Sequence, residues 1–309
     1  MELVTLPAPR ITFVGEGMVE LRHAAGDDFR VGYGGDTLNT AIHMARLGCD
    51  VAYASALGND SFSPRLRAAW EAEGLDCSTL LTDPARSAGL YAISLDAEGE
   101  RSFSYWRSDS AARQFFALTE SAEAVERIKR SDLLAFSLIS LAILPDAGKE
   151  ALLGLAAQVR EAGGKVAFDG NYRPILWDDR KTAAKWRDLA IAIATVGLPT
   201  LDDERAIGDA SDVQEVAEHW QALGCAETIV KLGAEGCRLP DGSLVEPAAP
   251  LQPVDTSGAG DAFNAGYLAT RLAGMDPRKA AMHGHELAGW TIMRAGAIPP
   301  RDADAPYTC

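Results

Sequence analysis

Residues 255–266 read DTSGAGDAFNAG, and this is where chemistry is most legible. Gly258, Ala259 and Gly260 precede an apolar helical run from Phe263 to Leu268, which gathers unencumbered amide groups at a helix N-terminus. Such a terminus favours an anion. Asp261 falls on the first turn, where a carboxylate either caps the amides or takes the proton from a hydroxyl that attacks a bound phosphate. In VKLGAEGC (230–237), Lys231 stands just before a strand break at Gly233 and Gly236, a spacing suited to main chain passing close to a nucleotide and equally to an ordinary hairpin. In GGDTLNTAIHMARLG (34–48), Gly34 and Gly35 would let a sugar-sized ligand approach the backbone, and Asn39 supplies donors and acceptors for hydroxyl groups. A plain turn also explains a glycine pair.

These residues need a scaffold that brings distant segments together. Short β-rich runs alternate with amphipathic helical runs, the pattern of a parallel sheet covered by helices. ITFVGEG, DVAYASALG, DLLAFSL, KVAFDGN and ETIVKLG read as strands ending in loops. DAGKEALLGLAAQVREAGG reads as a helix with Leu152, Leu153, Ala156 and Val159 on one stripe, ended by Gly163 and Gly164. Two segments break the alternation. Residues 89–107 read as a hairpin turning at DAEGE, and residues 18–35 lack a helical period. Together they predict a small β-sheet lid inserted into a single domain spanning 1–309.

Composition narrows the partners. With 29 basic and 44 acidic side chains the net charge is −15, which repels nucleic acid and anionic lipid. An anionic ligand would need local positive groups, so individual arginines matter. The five cysteines are scattered without C-x-x-C spacing, which argues against a disulfide framework or zinc site and for a cytoplasmic location. MELVTLPAPR has no export pattern, and LAIAIATVGLPTL is too short to span a bilayer. His283 and His285 sit two apart on an expected helix, pointing to different faces, and cannot share a metal.

GGDTLNTAIHMARLGCDVAYASALG resembles the N-terminal signature of the ribokinase-like (PfkB) carbohydrate kinases, with Asn39, Ala41, Gly48 and Gly58 in its spacing, and DTSGAGDAFNAG is similar to the C-terminal one. The resemblance spans nearly the whole chain. It implies a ribokinase-like α/β fold with a Rossmann-like parallel sheet and a β lid. It also implies ATP with Mg2+, with room for a monovalent cation such as K+, and phosphoryl transfer to a terminal hydroxyl. Asp261 would be the base, Gly258 to Gly260 the phosphate cradle, and Lys231, Gly233 and Gly236 part of the nucleotide loop. GGDTLNTA, GLYAIS, YWR, DGNYRPILW, TLDDE and IPPR look closest to members acting on the sugar acid 2-keto-3-deoxygluconate. By that likeness Arg107 and Arg173 hold the carboxylate, with Tyr91 and Tyr105 beside it, and Gly34, Gly35 and Asn39 meet the sugar. TLDDE departs from the family's N-x-x-E, because Leu201 stands three residues before Glu204, whose role would be to organise Mg2+ through water. Glu20 falls where relatives acting on neutral sugars often place an Asp. A homo-oligomer is expected. The competing expectations are a kinase for a neutral ketose such as fructose and a non-catalytic sugar or nucleotide sensor.

Overall fold

A computed structural model describes residues 9–24, 28–95 and 101–307. The turn expected at DAEGE (96–100) and most of MELVTLPAPR lie outside the described residues. From the N-terminus, β1 (Arg10–Val14) is followed by β2 (Met18–His23), β3 (Phe29–Gly34), α1 (Asp36–Arg46) and β4 (Asp50–Leu57). Next come α2 (Ser63–Ala72), β5 (Leu80–Thr82), β6 (Leu90–Leu95), β7 (Arg101–Trp106) and α3 (Ser121–Ile128). The middle of the chain forms β8 (Leu133–Ser137), α4 (Leu138–Ile143), α5 (Asp146–Glu161), β9 (Lys165–Asp169), α6 (Arg180–Ile193) and β10 (Val196–Gly197). Then follow α7 (Leu201–Ile207), α8 (Val213–Ala222), β11 (Glu227–Thr228), β12 (Val230–Lys231), β13 (Cys237–Arg238), β14 (Leu244–Val245), α9 (Ala259–Leu272) and α10 (Pro277–Ile292).

Seven strands form one parallel sheet in the order β11-β10-β9-β8-β1-β4-β5. Its strands bury both faces, and the pleat sorts them. Ile11, Phe13, Leu133, Ala135 and Ala167 pack toward α1, α2, α9 and α10, while Val14, Leu134, Phe136, Val166 and Phe168 pack toward the helices between α3 and α8. Local signals set the helix ends. Ser137 and Ser140 form a capping box at α4, Asp179 caps α6 and Asp276 caps α10, where Pro277 stands at the first turn. The ETIVKLG run divides at the fully buried Ile229: Glu227–Thr228 closes the parallel sheet, and Val230–Lys231 joins the separate antiparallel sheet β12-β13-β14.

The two segments that broke the alternation form one four-stranded sheet, β3-β2-β6-β7, with antiparallel hairpins joined through parallel β2 and β6. Register puts Glu20, Arg22, Tyr91 and Tyr105 on one face and Val31, Phe29 and Trp106 on the other.

The segment after α10 straps across α1. His43 Nε2 faces the Ala297 carbonyl at 2.9 Å, which can only accept, so Nε2 carries the proton and Nδ1 accepts the Tyr307 hydroxyl at 2.8 Å. Burial pushes the His43 pKa down to about 4, so the ring is neutral. Arg46 donates to the Pro299 carbonyl at 2.7 Å and through Nε and Nη2 to Glu73, also at 2.7 Å.

Candidate active site

Helix α9 starts at Gly258, whose φ of 72° is left-handed and whose Cβ would meet Ala297 at 2.6 Å, so glycine is required twice over. Above Gly260 a Cβ would find only Lys231 Nζ within reach, at 3.7 Å. The amides of Gly260 and Asp261 have no backbone acceptor among the described residues, as expected in a first helical turn. Together these features make an open amide cradle. Asp261 borders it, and Asn39 Nδ2 from the first turns of α1 donates to its Oδ2 at 2.8 Å. Asn39 Oδ1 is buried and has no partner among the described residues.

Five further polar residues surround this pair. Lys231 Nζ lies 3.2 Å from Asp169 Oδ1 at the end of β9 and 3.1 Å from Asn264 Oδ1, while Asn264 Nδ2 donates to Asp169 Oδ2 at 2.7 Å. Asn171 Nδ2 donates to Asp36 Oδ2 at 3.0 Å. Asp261 keeps partial access to the cleft but is otherwise ringed by protein. Burial, then the Asp36 carboxylate, and further the Asp169 carboxylate raise its pKa to about 8, against the opposing effects of Asn39 and Lys231. A carboxylate of that basicity suits proton removal near neutral pH.

Lys231 therefore points into the floor, not outward with a nucleotide loop. Gly233 is open, with φ of 61° and nothing near its Cβ position, whereas Gly236 is fixed by packing, since its Cβ would stand 2.1 Å from the Val245 carbonyl oxygen. The Gly34–Gly35 pair also meets protein. A Cβ on Gly34 would lie 2.3 Å from the Tyr91 hydroxyl, and one on Gly35 would lie 2.2 Å from the Glu16 carbonyl oxygen. Gly34 thus makes room for Tyr91 within the lid sheet, and Gly35 lets the chain pass the Glu16 main chain between lid and body.

On the lid, Tyr91 and Tyr105 are opposite one another with ring centroids 6.0 Å apart, and the Arg107 guanidinium carbon lies 5.9 Å from the Tyr105 ring. Arg107 is buried and held through Nε and Nη2 by Glu16 Oε2, at 2.7 and 2.5 Å. Arg173 is exposed and bonds the Tyr172 carbonyl at 2.7 Å and Asp203 at 3.3 Å. Glu204, expected to organise a metal through water, is buried and paired on one oxygen. Its Oε2 accepts from Arg187 at 2.8 Å, and its Oε1 is buried without a partner among the described residues. Burial raises its pKa. His283 and His285 bond separately to Thr270 and to the Val245 carbonyl.

Glu16, Asp36, Asp169, Asn171 and Asn264 are the site residues that sequence reasoning did not single out. Two carried a usable signal. Asn264 follows Asp261 by three residues on the same helix face, and Asp169 ends a parallel strand, where sheets of this kind place their ligands.

Residues 10–304 match the pfkB family of carbohydrate kinases. The chain belongs to this family. Within the pfkB family it is 40% identical over 304 residues to the 2-dehydro-3-deoxygluconokinase of Escherichia coli (strain K12), covering 95% of this chain and 98% of that one. Among solved structures it resembles a PfkB protein from Polaromonas sp. JS666, with a TM-score of 0.82, 28% identity and coverage of 94% and 97%. It also resembles the aminoimidazole riboside kinase of Salmonella enterica complexed with aminoimidazole riboside and an ATP analog, with a TM-score of 0.80, 26% identity and coverage of 94% and 95%. The seven-stranded sheet with its small antiparallel sheets is thus the ribokinase-like architecture of pfkB kinases. No helix among the described residues is long and apolar enough to cross a membrane.

Proposed function

We propose that this chain is a single-domain cytoplasmic kinase that transfers the γ-phosphoryl group of ATP to the terminal hydroxyl of 2-keto-3-deoxygluconate, giving the 6-phosphate. The observation that carries the transfer is Asp261 at the edge of the open amide cradle, basic through burial and neighbouring acids. Asp261 takes the hydroxyl proton. The amides of Gly260 and Asp261 receive the oxygens of the transferring group, and Gly258 sets the turn that presents them. Asn39 holds Asp261 with its nitrogen and offers its unpartnered oxygen to a sugar hydroxyl. Lys231 neutralises Asp169 below the cradle and steadies Asn264.

The choice of a sugar acid rests on the E. coli relative's name and on the positive groups near the lid. Arg107 keeps Nη1 available while Glu16 fixes its other edge, and Arg173 stands exposed on the loop after β9. Mg2+ fits as an ion carried mainly by phosphate oxygens and water, since the described residues hold no cluster of three metal-ligating side chains. When bound it neutralises charge on the phosphates. Self-association is supported by Phe29, Val31 and Trp106, exposed together on the outer face of the lid. An ADP-release assay over 2-keto-3-deoxygluconate, its galactonate epimer, fructose and ribose, with K+ exchanged for Na+, tests the reading. Preference for the acid is expected. Preference for fructose transfers the assignment to a neutral ketose, and no turnover with any sugar leaves a sensor.

A further inference from the structure

One chain of polar contacts crosses from the substrate face of the lid into the loop that leads to the cradle. The Tyr91 hydroxyl donates to Glu20 Oε2 at 2.5 Å. Glu20 Oε1 receives Arg22 through Nη2 at 3.0 Å and Nε at 3.2 Å. Arg22 Nη1 then reaches Asp255 Oδ2 at 3.4 Å. Asp255 is buried and pins two backbone segments, accepting the Ser257 amide on Oδ1 and the Gly296 amide on Oδ2, both at 2.8 Å. Those segments meet at the cradle itself. Ser257 precedes Gly258, and Ala297, next after Gly296, is the residue against which the Gly258 backbone packs.

We propose that Arg22 is a positioning residue that couples the sugar face of the lid to the phosphate cradle, so that sugar and nucleotide bind with positive cooperativity. The inference rests on the sugar-kinase reading of this site. Charge explains the coupling. Arg22 lies between two carboxylates, Glu20 on the lid and Asp255 in the body, and attracts both. A sugar against Tyr91 steadies Glu20 and so holds the guanidinium on Asp255, and with it the turn that presents the amides. Without the cation the link from Glu20 to Asp255 is cut. Lysine keeps the charge but is a point donor that cannot hold Glu20 by two edges and reach Asp255 with a third nitrogen.

Calorimetric affinity for the β,γ-imido analogue of ATP, with and without saturating sugar, reads the coupling directly, because linkage makes each ligand report on the other. The natural chain is expected to bind the analogue about tenfold more tightly with 2-keto-3-deoxygluconate present. In Arg22→Ala the ratio should fall to within about twofold of one, with Arg22→Lys between the two. Where Arg22→Ala does not fold, Glu20→Gln cuts the same chain one link earlier and should lower the ratio too. A ratio of one in the natural chain, or an unchanged ratio in the variants, overturns the relay and reduces Arg22 to a structural tie. The substrate assignment fails separately: a natural chain that ignores the acid and takes fructose overturns that reading, and fructose measured in the same proteins decides the relay.

Discussion

Asp261 in the floor of the cleft and Arg107 on its lid are treated in opposite ways by their surroundings. Asp261 forms no ion pair among the described residues, because the nearest ammonium, Lys231, is committed to Asp169 and Asn264. Arg107 is bound edge-on by Glu16. The acid is left destabilised, and the base is left satisfied. A group that must take a proton gains from a poor environment, whereas a group that must hold still for recognition gains from a fixed partner. In the proposed reading the two halves of the cleft therefore separate reactivity from selection.

The largest test removes the destabilised acid. Asp261→Asn is expected to lower kcat about 10²- to 10⁴-fold while sugar and nucleotide still bind. Stability should move the other way. Because the folded pKa, about 8, lies above the ordinary 3.8, the carboxylate weakens the fold increasingly as pH rises between those values, and the penalty is then constant. The variant should thus melt at a higher temperature than the natural chain at pH 8, with the difference vanishing near pH 4. Scanning calorimetry across that range checks the sign. For the natural chain, kcat/KM should rise through a limb near pH 8, and a variant with undiminished turnover would break the floor half of the comparison.

Arg107→Ala addresses the satisfied base. KM for the sugar acid should rise about ten- to a hundredfold through loss of a charge-assisted contact. The fold should also weaken, since Glu16, 2% exposed, is left as a buried carboxylate without its cation. Adding Glu16→Gln should restore the melting temperature without restoring KM. That split separates recognition from packing, and a single variant with neither effect would remove Arg107 from the site.

The smallest expected effect is dynamic. Amide exchange in β6 and β7 should slow measurably when the acid is added, while α9 stays protected with or without it, as befits a lid against a fixed floor. Protection arising only in α9 would invert the assignment.

Which parts were legible follows from where each signal resides. The strands DLLAFSL and KVAFDGN were readable because a parallel sheet buries both faces in short apolar runs. ETIVKLG gave no sign of its division, since Ile229 is as buried as its neighbours while the chain passes from one sheet to another. Asp261 and Asn39 were marked by the glycines beside them, and residues 222 positions apart meet at 2.8 Å as the signatures imply. Glu16 and Asp36 carry no local mark. Their roles come from tertiary neighbours, Arg107 and Asn171, which no spacing connects to them. Glu204 shows the same limit: no spacing announces that Arg187, on a different helix, donates to its Oε2.

The strap over α1 bears on how the protein is made. The helix that carries Asp36 and Asn39 is tied at its other end to residues 297–307, through His43, Arg46 and Tyr307. A ribosome delivers those residues long after the helix, with 254 positions between His43 and Ala297. Until they emerge, His43 and Arg46 have neither the Ala297 and Pro299 carbonyls nor the Tyr307 hydroxyl, and the His43 ring, fully buried in the finished fold, lacks both of its partners. Contacts of such sequence separation form slowly and leave nascent chains open to aggregation. Assembly of the cleft thus waits until residues 297–307 have been made, and a chain cut before them would carry a helix with Asp36 and Asn39 that has been synthesised in full but never clamped.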